Sequence, residues 1–538
     1  MSTSLPWYKT AVFYELYVRA FNDSNGDGWG DLQGVIEKLD YLRDLGVDCI
    51  WLLPIAPSPL RDDGYDVSDY CDIHPMYGKM DDFRRLVKAV HARGLRLLVE
   101  LVPNHTSDQH AWFQASRDPN HPEHETYKDY YVWSETPERY QGARIIFLDT
   151  EKSNWSYDPV RKAYYWHRFF SHQPDLNYDN PAVQRTMLRT IQFWIDEGVD
   201  GIRVDAPPYL FEREGTNCEN LPETHLFLKR LRAFVEAYAP GTMLLSEANQ
   251  WPEDVIHYFG TGDEMHMNFH FPLMPRLYMA LAKANRAPIE AILERTPALP
   301  EVCQWGTFLR CHDELTLEMV TPDERQWMWE TYAPDARMRL NLGIRRRLAP
   351  LMNNDPRKIM LLNSMLFTMG GSPFLYYGDE IGMGDNIWLD DRNGVRTPMQ
   401  WNDGLNGGFS NAAPEKLYAP VIRAAPFEYA TVNVARQEHD PESLLNKTRH
   451  MIATRRQHPV FGAGSFRWAD VGSGAVAAYW REYQESQMLV LNNLSEQTMT
   501  VSIETRPGGY VNVLDQKPFT GHQIRLEPYQ YLWLAPQG

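Results

Sequence analysis

The sequence predicts an α/β fold: a (β/α)8 TIM barrel with an inserted B subdomain after its third strand and a C-terminal antiparallel β-sandwich domain. Eight near-continuous apolar runs occur before about residue 377, with amphipathic segments between several of them. Such runs are typical of parallel strands that are buried on both faces. After about residue 450 the pattern changes to short alternating runs, which predict a separate antiparallel domain.

A repeated unit of helix, glycine and strand supports the barrel. Three amphipathic segments end in Gly46, Gly94 and Gly198, and an apolar run follows each glycine. Glycine readily adopts the left-handed conformation that ends a helix and turns the chain back into a strand. The alternative, a doubly wound open sheet, would show a glycine-rich phosphate-binding fingerprint, which this sequence lacks. The predicted strands are AVFYELYV, VDCIWLLPI, LRLLVELV, VDGIRVDA, MLLSEA, MNFHF, WGTFLRCHD and SPFLYYGDE.

The spacing of these strands predicts the domain limits. The segment after the third strand is too long and too rich in aromatic and polar residues for a loop, so it predicts a subdomain over one face of the barrel. A second insertion after the seventh strand predicts a lid. The predicted limits are 1–104 and 176–449 for the barrel, 318–355 for the lid, 105–175 for the B subdomain and 450–538 for the C-terminal domain.

Charge and composition narrow the classes of partner. The 538 residues carry a formal net charge of −18, which disfavours nucleic acid and anionic membranes as partners. The five cysteines form no C-x-x-C pair, which argues against a disulfide framework or a zinc site. The N-terminal segment lacks the pattern of a signal peptide, and no run of about eighteen apolar residues occurs. We therefore expect a soluble, cytoplasmic protein.

Acidic residues end three of the predicted strands. Asp205 ends the fourth strand, with Arg203 two residues earlier on the same face, while Glu247 and Asp313 end the fifth and seventh. In a barrel these positions converge at the mouth where chemistry occurs, and paired carboxylates suggest glycoside chemistry. The acids could instead cap helices or pair with arginines. A metal-dependent hydrolase is a further alternative, although no H-x-H pair marks a strand end.

The segments around these acids resemble a known family. VPNHTS, GIRVDA, LLSEA and RCHDE resemble the four signature regions of the α-amylase family, glycoside hydrolase family 13, and QPDLN resembles its fifth region. The resemblance covers essentially the whole chain in the expected order. It implies that Asp205 is the nucleophile and Glu247 the general acid/base. It also implies that Asp313 grips sugar hydroxyls and stabilises the transition state.

The same resemblance implies a set of substrate-binding residues and shows two departures. Cys311 stands where the family often has asparagine before the histidine, and Glu100 stands where the first region commonly opens with aspartate. Neither is a catalytic carboxylate, so we expect activity. The implied substrate-binding residues are Asp62, Tyr65, His105, Gln173, Arg203, His312 and Arg392.

The segments RVDAPPYLFEREGTNCENLPETH and CHDELTLEMV resemble the family members that interconvert maltose and trehalose. This implies a retaining intramolecular transfer through a covalent glucosyl-enzyme, with minor hydrolysis to glucose. It also implies small sugars as ligands, no organic cofactor and a possible homodimer. Two alternatives are an α-glucosidase or oligo-1,6-glucosidase of the same family and a non-catalytic sugar-binding protein. The second is disfavoured because all three carboxylates are present.

The stretch NDSNGDGWGD predicts either a calcium loop or a plain turn. Its Asp-x-Asn-x-Asp-Gly spacing matches the first half of an EF-hand loop, but Gly34 occupies the twelfth position, where an EF-hand has glutamate. Asn-Gly and Asp-Gly pairs also favour turns. The resemblance implies a structural Ca²⁺ site here. Its ligands would be Asp23, Asn25, Asp27, the Trp29 carbonyl and Asp31.

A second structural Ca²⁺ site is implied by the resemblance alone. It would tie the B subdomain to the barrel through hard oxygen ligands. For Asn104 and Asp175, turn formation is the alternative. The implied ligands are Asn104, Asp175, the carbonyls of Tyr209 and Leu210, and Glu212.

Overall fold

The structure is a computed structural model that describes residues 5–537, so the predicted domain limits at residues 1 and 538 lie outside the described residues. Its strands, numbered in chain order, are β1 (Phe13–Leu16), β2 (Cys49–Leu52), β3 (Arg96–Leu101), β4 (Trp133–Ser134), β5 (Trp155–Asp158), β6 (Ala163–Trp166), β7 (Gly201–Val204), β8 (Met243–Ser246), β9 (Met267–Phe269), β10 (Gln304–Phe308), β11 (Leu315–Thr316), β12 (Arg339–Leu340), β13 (Gly343–Ile344), β14 (Ser372–Tyr376), β15 (Ser465–Trp468), β16 (Val476–Tyr483), β17 (Ser486–Asn493), β18 (Met499–Ser502), β19 (Tyr510–Asn512), β20 (Pro518–Phe519), β21 (Gln523–Leu526) and β22 (Tyr531–Pro536).

The α-helices alternate with the barrel strands and continue into both insertions. They are α1 (Val18–Phe21), α2 (Leu32–Glu37), α3 (Leu39–Leu45), α4 (Met80–His91), α5 (Ala111–Arg117), α6 (His124–Tyr127), α7 (Pro181–Asp196), α8 (Pro222–Tyr238), α9 (Pro252–Val255), α10 (Leu273–Lys283), α11 (Ala287–Glu294), α12 (Pro322–Tyr332), α13 (Leu348–Leu351), α14 (Pro356–Thr368), α15 (Val434–Glu438), α16 (Leu444–Gln457) and α17 (Val460–Ala463).

Eight strands close the predicted barrel in the order β1-β14-β10-β9-β8-β7-β3-β2, and all neighbouring pairs are parallel. Each predicted apolar run contributes one of these strands, so the barrel prediction is confirmed. The register pairs Glu100 on β3 with Arg203 on β7, and Arg203 with Leu245 on β8. This register brings the polar residues of three strands to one end of the barrel.

The predicted helix ends are also confirmed. Gly46, Gly94 and Gly198 have φ angles of 94°, 71° and 95°, in the left-handed region that a side chain disfavours. The first apolar run differs from its prediction at its end. β1 stops at Leu16, and the chain enters the short helix α1 at Val18, because the strand ends where the barrel mouth begins.

Two insertions cover the carboxyl ends of the barrel strands. The first contains α5, α6 and the antiparallel sheet β4-β6-β5, and the second contains α12 and the small sheet β11-β13-β12. The first lies within the segment predicted as the B subdomain. In the second, α12, β12 and β13 lie within the predicted lid, whereas β11 comes before its predicted start at residue 318. Their exact limits remain predictions.

The C-terminal region is antiparallel, as predicted, with a six-stranded sheet, β15-β16-β17-β22-β19-β20, and a two-stranded sheet, β18-β21. The predicted limit at residue 449 falls inside α16, which packs against α14 and α3. The first strand of the C-terminal sheet starts at Ser465. Across residues 5–537, no helix combines the length and the apolar character needed to cross a membrane.

Candidate active site

The carboxyl ends of the barrel strands surround a cavity that opens to solvent. Eight of the ten residues predicted for catalysis and sugar binding line it. The other two, Gln173 and Arg203, are fully buried behind the wall and act on residues that do line it. The eight lining residues are Asp62, Tyr65, His105, Asp205, Glu247, His312, Asp313 and Arg392.

Arg203 binds acidic side chains at the ends of three neighbouring strands. Its Nη1 donates to Asp205 Oδ1 at 2.5 Å and also to Glu100, while its Nη2 contacts Glu247. Strand alternation places Arg203 and Asp205 on one face of β7, and the barrel register supplies the other two acids. Trp51 Nε1 donates to the second oxygen of Glu100 at 2.8 Å. The predicted nucleophile and acid/base therefore bind one guanidinium.

The backbone fixes the position of Asp205. The next residue, Ala206, has φ 47°, which places a non-glycine residue in the left-handed region, and Pro207 and Pro208 follow it. Left-handed backbone at a non-glycine residue persists only where the surrounding structure holds it, and such positions cluster at functional sites. Burial raises the pKa of Asp205, and the charge of Arg203 opposes that shift. The strained turn thus ends β7 with the Asp205 carboxylate facing the cavity.

Arg392 binds a second cluster of acids in the wall of the same cavity. Its Nη1 donates to Asp313 Oδ1 at 2.9 Å, and its Nη2 donates to Asp62 Oδ1 at 2.7 Å. Arg396 Nη2 also donates to Asp313 Oδ1, at 2.8 Å, and Gln173 Nε2 donates to Asp62 Oδ2 at 2.8 Å. This geometry explains why Gln173 is buried: its amide orients Asp62.

The two acids held by Arg392 have pKa values shifted in opposite directions. Burial raises the pKa of Asp62 to about 7, and Arg392 only partly offsets it. Burial also acts to raise the pKa of Asp313, but His312, Arg392 and Arg396 outweigh it and hold the pKa below its usual range. Asp313 therefore stays ionised throughout the neutral range, whereas Asp62 titrates within it.

His312 and Tyr65 form a stacked polar pair in the cavity wall. Their rings lie 5.5 Å apart with an interplanar angle of 9°, and Tyr65 OH lies 2.7 Å from His312 Nε2. His312 Nδ1 lies 2.5 Å from Glu15 Oε1, and the same oxygen accepts the His312 backbone N–H. His105 Nε2 lies 3.2 Å from the Tyr65 carbonyl. Glu15 on β1 thus fixes the histidine ring, a role that sequence reasoning missed.

Sequence reasoning also missed the apolar part of the wall. Six tryptophan and phenylalanine side chains line the cavity beside the acids, a combination suited to a sugar ring with apolar faces and polar edges. Four lie on or beside barrel strands and two lie in the B subdomain, so only the closed barrel brings them together. They are Trp51, Phe147, Phe169, Phe269, Phe271 and Phe308.

Contacts between the two insertions close the cavity over part of its mouth. Arg144 of the B subdomain binds Glu318 at 3.1 Å and donates to Tyr209 OH at 3.3 Å. Asn341 of the lid donates its backbone N–H to Asp149 Oδ2 at 3.0 Å and its side-chain amide to Glu314 Oε1 at 3.1 Å. Glu314 and Glu318 line the cavity. The B subdomain and the lid are therefore joined above the acids.

The loop that carries Arg392 is anchored to the lid. Arg345 Nη1 donates to the carbonyls of Leu389, at 2.6 Å, and Asp391, and its Nη2 donates to the carbonyl of Ile387 at 3.3 Å. A single lid arginine thus fixes three backbone positions just before Arg392. Sequence reasoning assigned Arg392 from its motif and gave no signal for Arg345.

The two departures from the family pattern occupy supporting positions. Glu100 binds Arg203, and burial raises the Glu100 pKa to about 8 although Arg203 opposes the shift. Cys311 lines the cavity and is 7% exposed, and burial raises the pKa of its thiol. Because this thiol is neutral, the arginines and His312 are the groups that hold the pKa of Asp313 low.

The residues predicted for the second calcium site contain an unusual set of buried oxygens. Asn104 Oδ1, Asp175 Oδ2 and Glu212 Oε1 are all buried without a hydrogen-bond partner. Burial raises the pKa values of Asp175 and Glu212 well above their usual range, and Asp175 adds to the shift of Glu212. Tyr209 and Leu210 belong to the buried segment just before Glu212. Because unpaired buried oxygens are unfavourable, this donor set fits a hard cation.

The residues of the predicted first calcium loop bond to one another instead. Asp23 accepts the backbone N–H groups of Asn25, Gly26 and Gly28, and Asp31 accepts the Ser24 hydroxyl. Asn25 Oδ1 accepts the Asp27 N–H at 2.9 Å, and Asp27 Oδ1 accepts the Trp29 N–H at 2.9 Å. These bonds match the turn alternative, and calcium in this loop stays a prediction. Over residues 5–537, no group of three or more His, Cys, Asp or Glu side chains forms a metal site.

Comparison with known proteins agrees with this geometry. The family described as "Alpha amylase, catalytic domain" matches residues 15–464, and the family described as "Maltogenic Amylase, C-terminal domain" matches residues 466–533. The chain is 56% identical to trehalose synthase/amylase TreS of Mycolicibacterium smegmatis over 95% of this chain and 88% of that protein. It is 55% identical to the trehalose synthase of Pimelobacter sp., over 93% of this chain and 89% of that protein.

Among solved structures, the chain resembles the trehalulose synthase MutB from Pseudomonas mesoacidophila. The TM-score is 0.81 at 28% identity, and the alignment covers 99% of this chain and 100% of that one. The matched families, the relatives and the shared fold lead to one conclusion. The chain belongs to the α-amylase family, glycoside hydrolase family 13, and trehalose synthases are among its relatives.

Proposed function

We propose that this protein isomerises maltose to trehalose, reversibly, by retaining intramolecular transfer of a glucosyl group. The single observation that carries the proposal is the pairing of Asp205 and Glu247 on Arg203 inside a partly closed cavity. Two carboxylates on one guanidinium favour the short separation of a retaining pair over the wider spacing of an inverting pair. The names of the relatives at 55–56% identity support maltose and trehalose as the sugars.

In the first step, an Asp205 oxygen attacks the anomeric carbon of the non-reducing glucose of maltose. Glu247 donates its proton to the glycosidic oxygen, the C–O bond breaks, and free glucose and a glucosyl-enzyme ester result. Arg203 favours the ionised form of Asp205 and partly offsets its burial, because it donates directly to the attacking carboxylate. Asp313, ionised through its two arginines, accepts sugar hydroxyls and stabilises the developing positive charge.

In the second step, the released glucose turns within the cavity and presents its own anomeric hydroxyl. Glu247, now a carboxylate, removes that proton while the oxygen attacks the glucosyl carbon and Asp205 leaves. The product is trehalose, and the enzyme returns to its starting state. The contacts of Arg144 with Glu318 and of Asn341 with Asp149 support retention of glucose, since they join the two insertions above the acids.

The alternative is an α-glucosidase or oligo-1,6-glucosidase with the same acids. It differs only in the acceptor, because water would attack the glucosyl-enzyme in place of glucose. The observation that favours it is the opening of the cavity to solvent. We expect hydrolysis to be the minor route, since the six tryptophan and phenylalanine side chains and the joined insertions limit the space for water.

We also propose that the buried oxygens of Asn104, Asp175 and Glu212 bind Ca²⁺, with the carbonyls of Tyr209 and Leu210 as further ligands. The ion would neutralise two buried carboxylates and join the B subdomain to the barrel. Added Ca²⁺ should raise the melting temperature of chelator-treated protein, and Glu212→Gln should reduce that shift. Glu485→Gln, at an exposed acid in the turn between β16 and β17, is the matched control. An equal response of all three proteins would contradict the assignment.

A time course with maltose as the only sugar tests the proposed function. The protein is incubated with maltose, and trehalose, glucose and maltose are separated by anion-exchange chromatography. Trehalose in excess of glucose from the earliest points supports the isomerase. Glucose as the only product would assign the chain to the α-glucosidases.

A further inference from the structure

Trp388 is the most exposed large hydrophobic side chain in the described part of the chain, with 72% of its surface accessible. It lies in the loop between β14 and Arg392 and does not line the cavity. A tryptophan left in water forgoes a large burial free energy and presents an aromatic surface on which a ligand can stack. Neither the isomerisation nor the hydrolysis described above uses it.

The indole ring is held in place rather than free. The Arg337 guanidinium lies 3.7 Å from the ring centroid of Trp388, and Asp335 binds that guanidinium, with its Oδ1 3.0 Å from Arg337 Nε. The Trp388 backbone N–H donates to Asn386 Oδ1 at 3.1 Å. Arg337 therefore covers one face of the indole, and the exposed fraction leaves the other face to solvent. A fixed aromatic face loses little conformational entropy when a ligand stacks on it.

Trp388 lies in the same short loop as Arg392, a residue of the cavity wall. The Asn386 N–H donates to the Gly394 carbonyl at 2.9 Å, which closes the base of a loop that contains both Trp388 and Arg392. Arg392 lines the cavity, and four residues of extended chain span at most about 14 Å. Arg345 fixes the backbone between them. The indole is therefore held within a short length of chain from the cavity wall.

We propose that Trp388 is a sugar-binding platform for α-linked gluco-oligosaccharides longer than a disaccharide, which it holds by stacking on one glucose unit outside the cavity. Apolar sugar faces stack on aromatic rings, and the neighbouring Asp390 and Asp391 disfavour an anionic ligand. A glucan is neutral and matches the glucose-sized chemistry of the cavity next to it. The platform increases the affinity for longer oligosaccharides, and this holds whether glucose or water is the acceptor in the cavity.

The test measures binding of maltoheptaose by isothermal titration calorimetry to proteins that also carry Asp205→Asn, so that the ligand is not consumed. Trp388→Ala should weaken binding roughly tenfold, as expected when one aromatic anchor is truncated. Trp388→Phe should restore most of the affinity, and Arg337→Ala should give an intermediate loss. The matched control is Tyr157→Ala, which removes an aromatic ring that is 54% exposed on β5 and should leave the affinity unchanged.

A second measurement separates the platform from the reaction. In proteins that retain Asp205, Trp388→Ala should leave kcat and KM for maltose within about twofold, since a disaccharide in the cavity does not reach the platform. Unchanged maltoheptaose affinity in Trp388→Ala would overturn the proposal, as would an equal loss in Tyr157→Ala. A change of oligomeric state in Trp388→Ala without a change in affinity would also overturn it and assign the residue to an interface between copies of the chain.

Discussion

Two buried arginines each bind acids of the same site, and they do so by different means. Arg203 lies on β7, two residues before Asp205, and its other partners, Glu100 and Glu247, lie at the ends of adjacent strands. Arg392 lies on a loop after β14, far along the chain from its partners Asp62 and Asp313. The barrel itself builds the first cluster, whereas the second needs a loop that a lid residue holds in place.

This difference shows which cluster is fixed by the barrel strands and which depends on a loop. Strand register fixes the Arg203 cluster, so the nucleophile and the acid/base keep their relation as long as the barrel is closed. The Arg392 cluster instead depends on a loop whose carbonyls are held by Arg345 of the lid. We infer that the first cluster performs the bond-breaking chemistry and that the second grips the sugar. The predictions below test that division.

Loss of the Asp205 carboxylate should have the largest effect. Asp205→Ala removes the proposed nucleophile, and we expect kcat to fall by at least about 10⁴-fold with little change in fold, as for other covalent nucleophiles. The matched control is Asp200→Asn, which changes an acid next to the opposite end of β7 that binds the Leu97 N–H and His91. Initial rates with maltose measure both. Undiminished turnover in Asp205→Ala would contradict the assignment of Asp205 as the nucleophile.

Loss of Arg392 should have an intermediate effect that falls on sugar binding. Arg392→Ala removes one donor from Asp313 and the charged partner of Asp62, so we expect a loss of about 10²-fold in kcat/KM. Because Arg396 still binds Asp313, kcat should fall less than kcat/KM. Arg357→Ala, at an exposed pair with Asp355, is the control. A loss confined to kcat would show that Arg392 belongs with the chemical step.

The titration of Asp62 should have the smallest effect. With a pKa of about 7, Asp62 is mostly protonated at pH 6 and mostly ionised at pH 8, and only the ionised form pairs with the Arg392 charge. We therefore expect kcat/KM for maltose to rise up to about tenfold over this range, because kcat/KM reports groups of the free enzyme. Asp62→Asn should lower the rate and remove this rise. A profile that keeps the same rise in Asp62→Asn would assign it to another group.

Much of the fold could be predicted because its signals are local. Apolar runs mark the eight barrel strands, and Gly46, Gly94 and Gly198 mark helix ends at which only left-handed backbone returns the chain to the barrel. The strand-end positions of Asp205 and Glu247 follow from the same pattern, since the ends of parallel strands meet. These features require no knowledge of long-range contacts.

The supporting residues could not be predicted because their partners are remote in sequence. Glu15 binds His312 across 297 positions, and Arg345 binds backbone carbonyls, which carry no sequence signal. The two calcium predictions also show that local spacing does not reveal residues whose partners are remote in sequence. Spacing alone pointed to the loop at 23–31. The unpaired oxygens lie at Asn104, Asp175 and Glu212, which only the family resemblance could name, because the folded chain brings them together from distant positions.

The central claim is that glucose released in the first step stays in the cavity and becomes the acceptor. The most direct test is to incubate the protein with maltose and an excess of isotopically labelled free glucose and to measure the label in trehalose by mass spectrometry. The account predicts trehalose that is essentially unlabelled at early times. Trehalose labelled in proportion to the free glucose would show that the cavity exchanges glucose with solvent and would contradict the intramolecular mechanism.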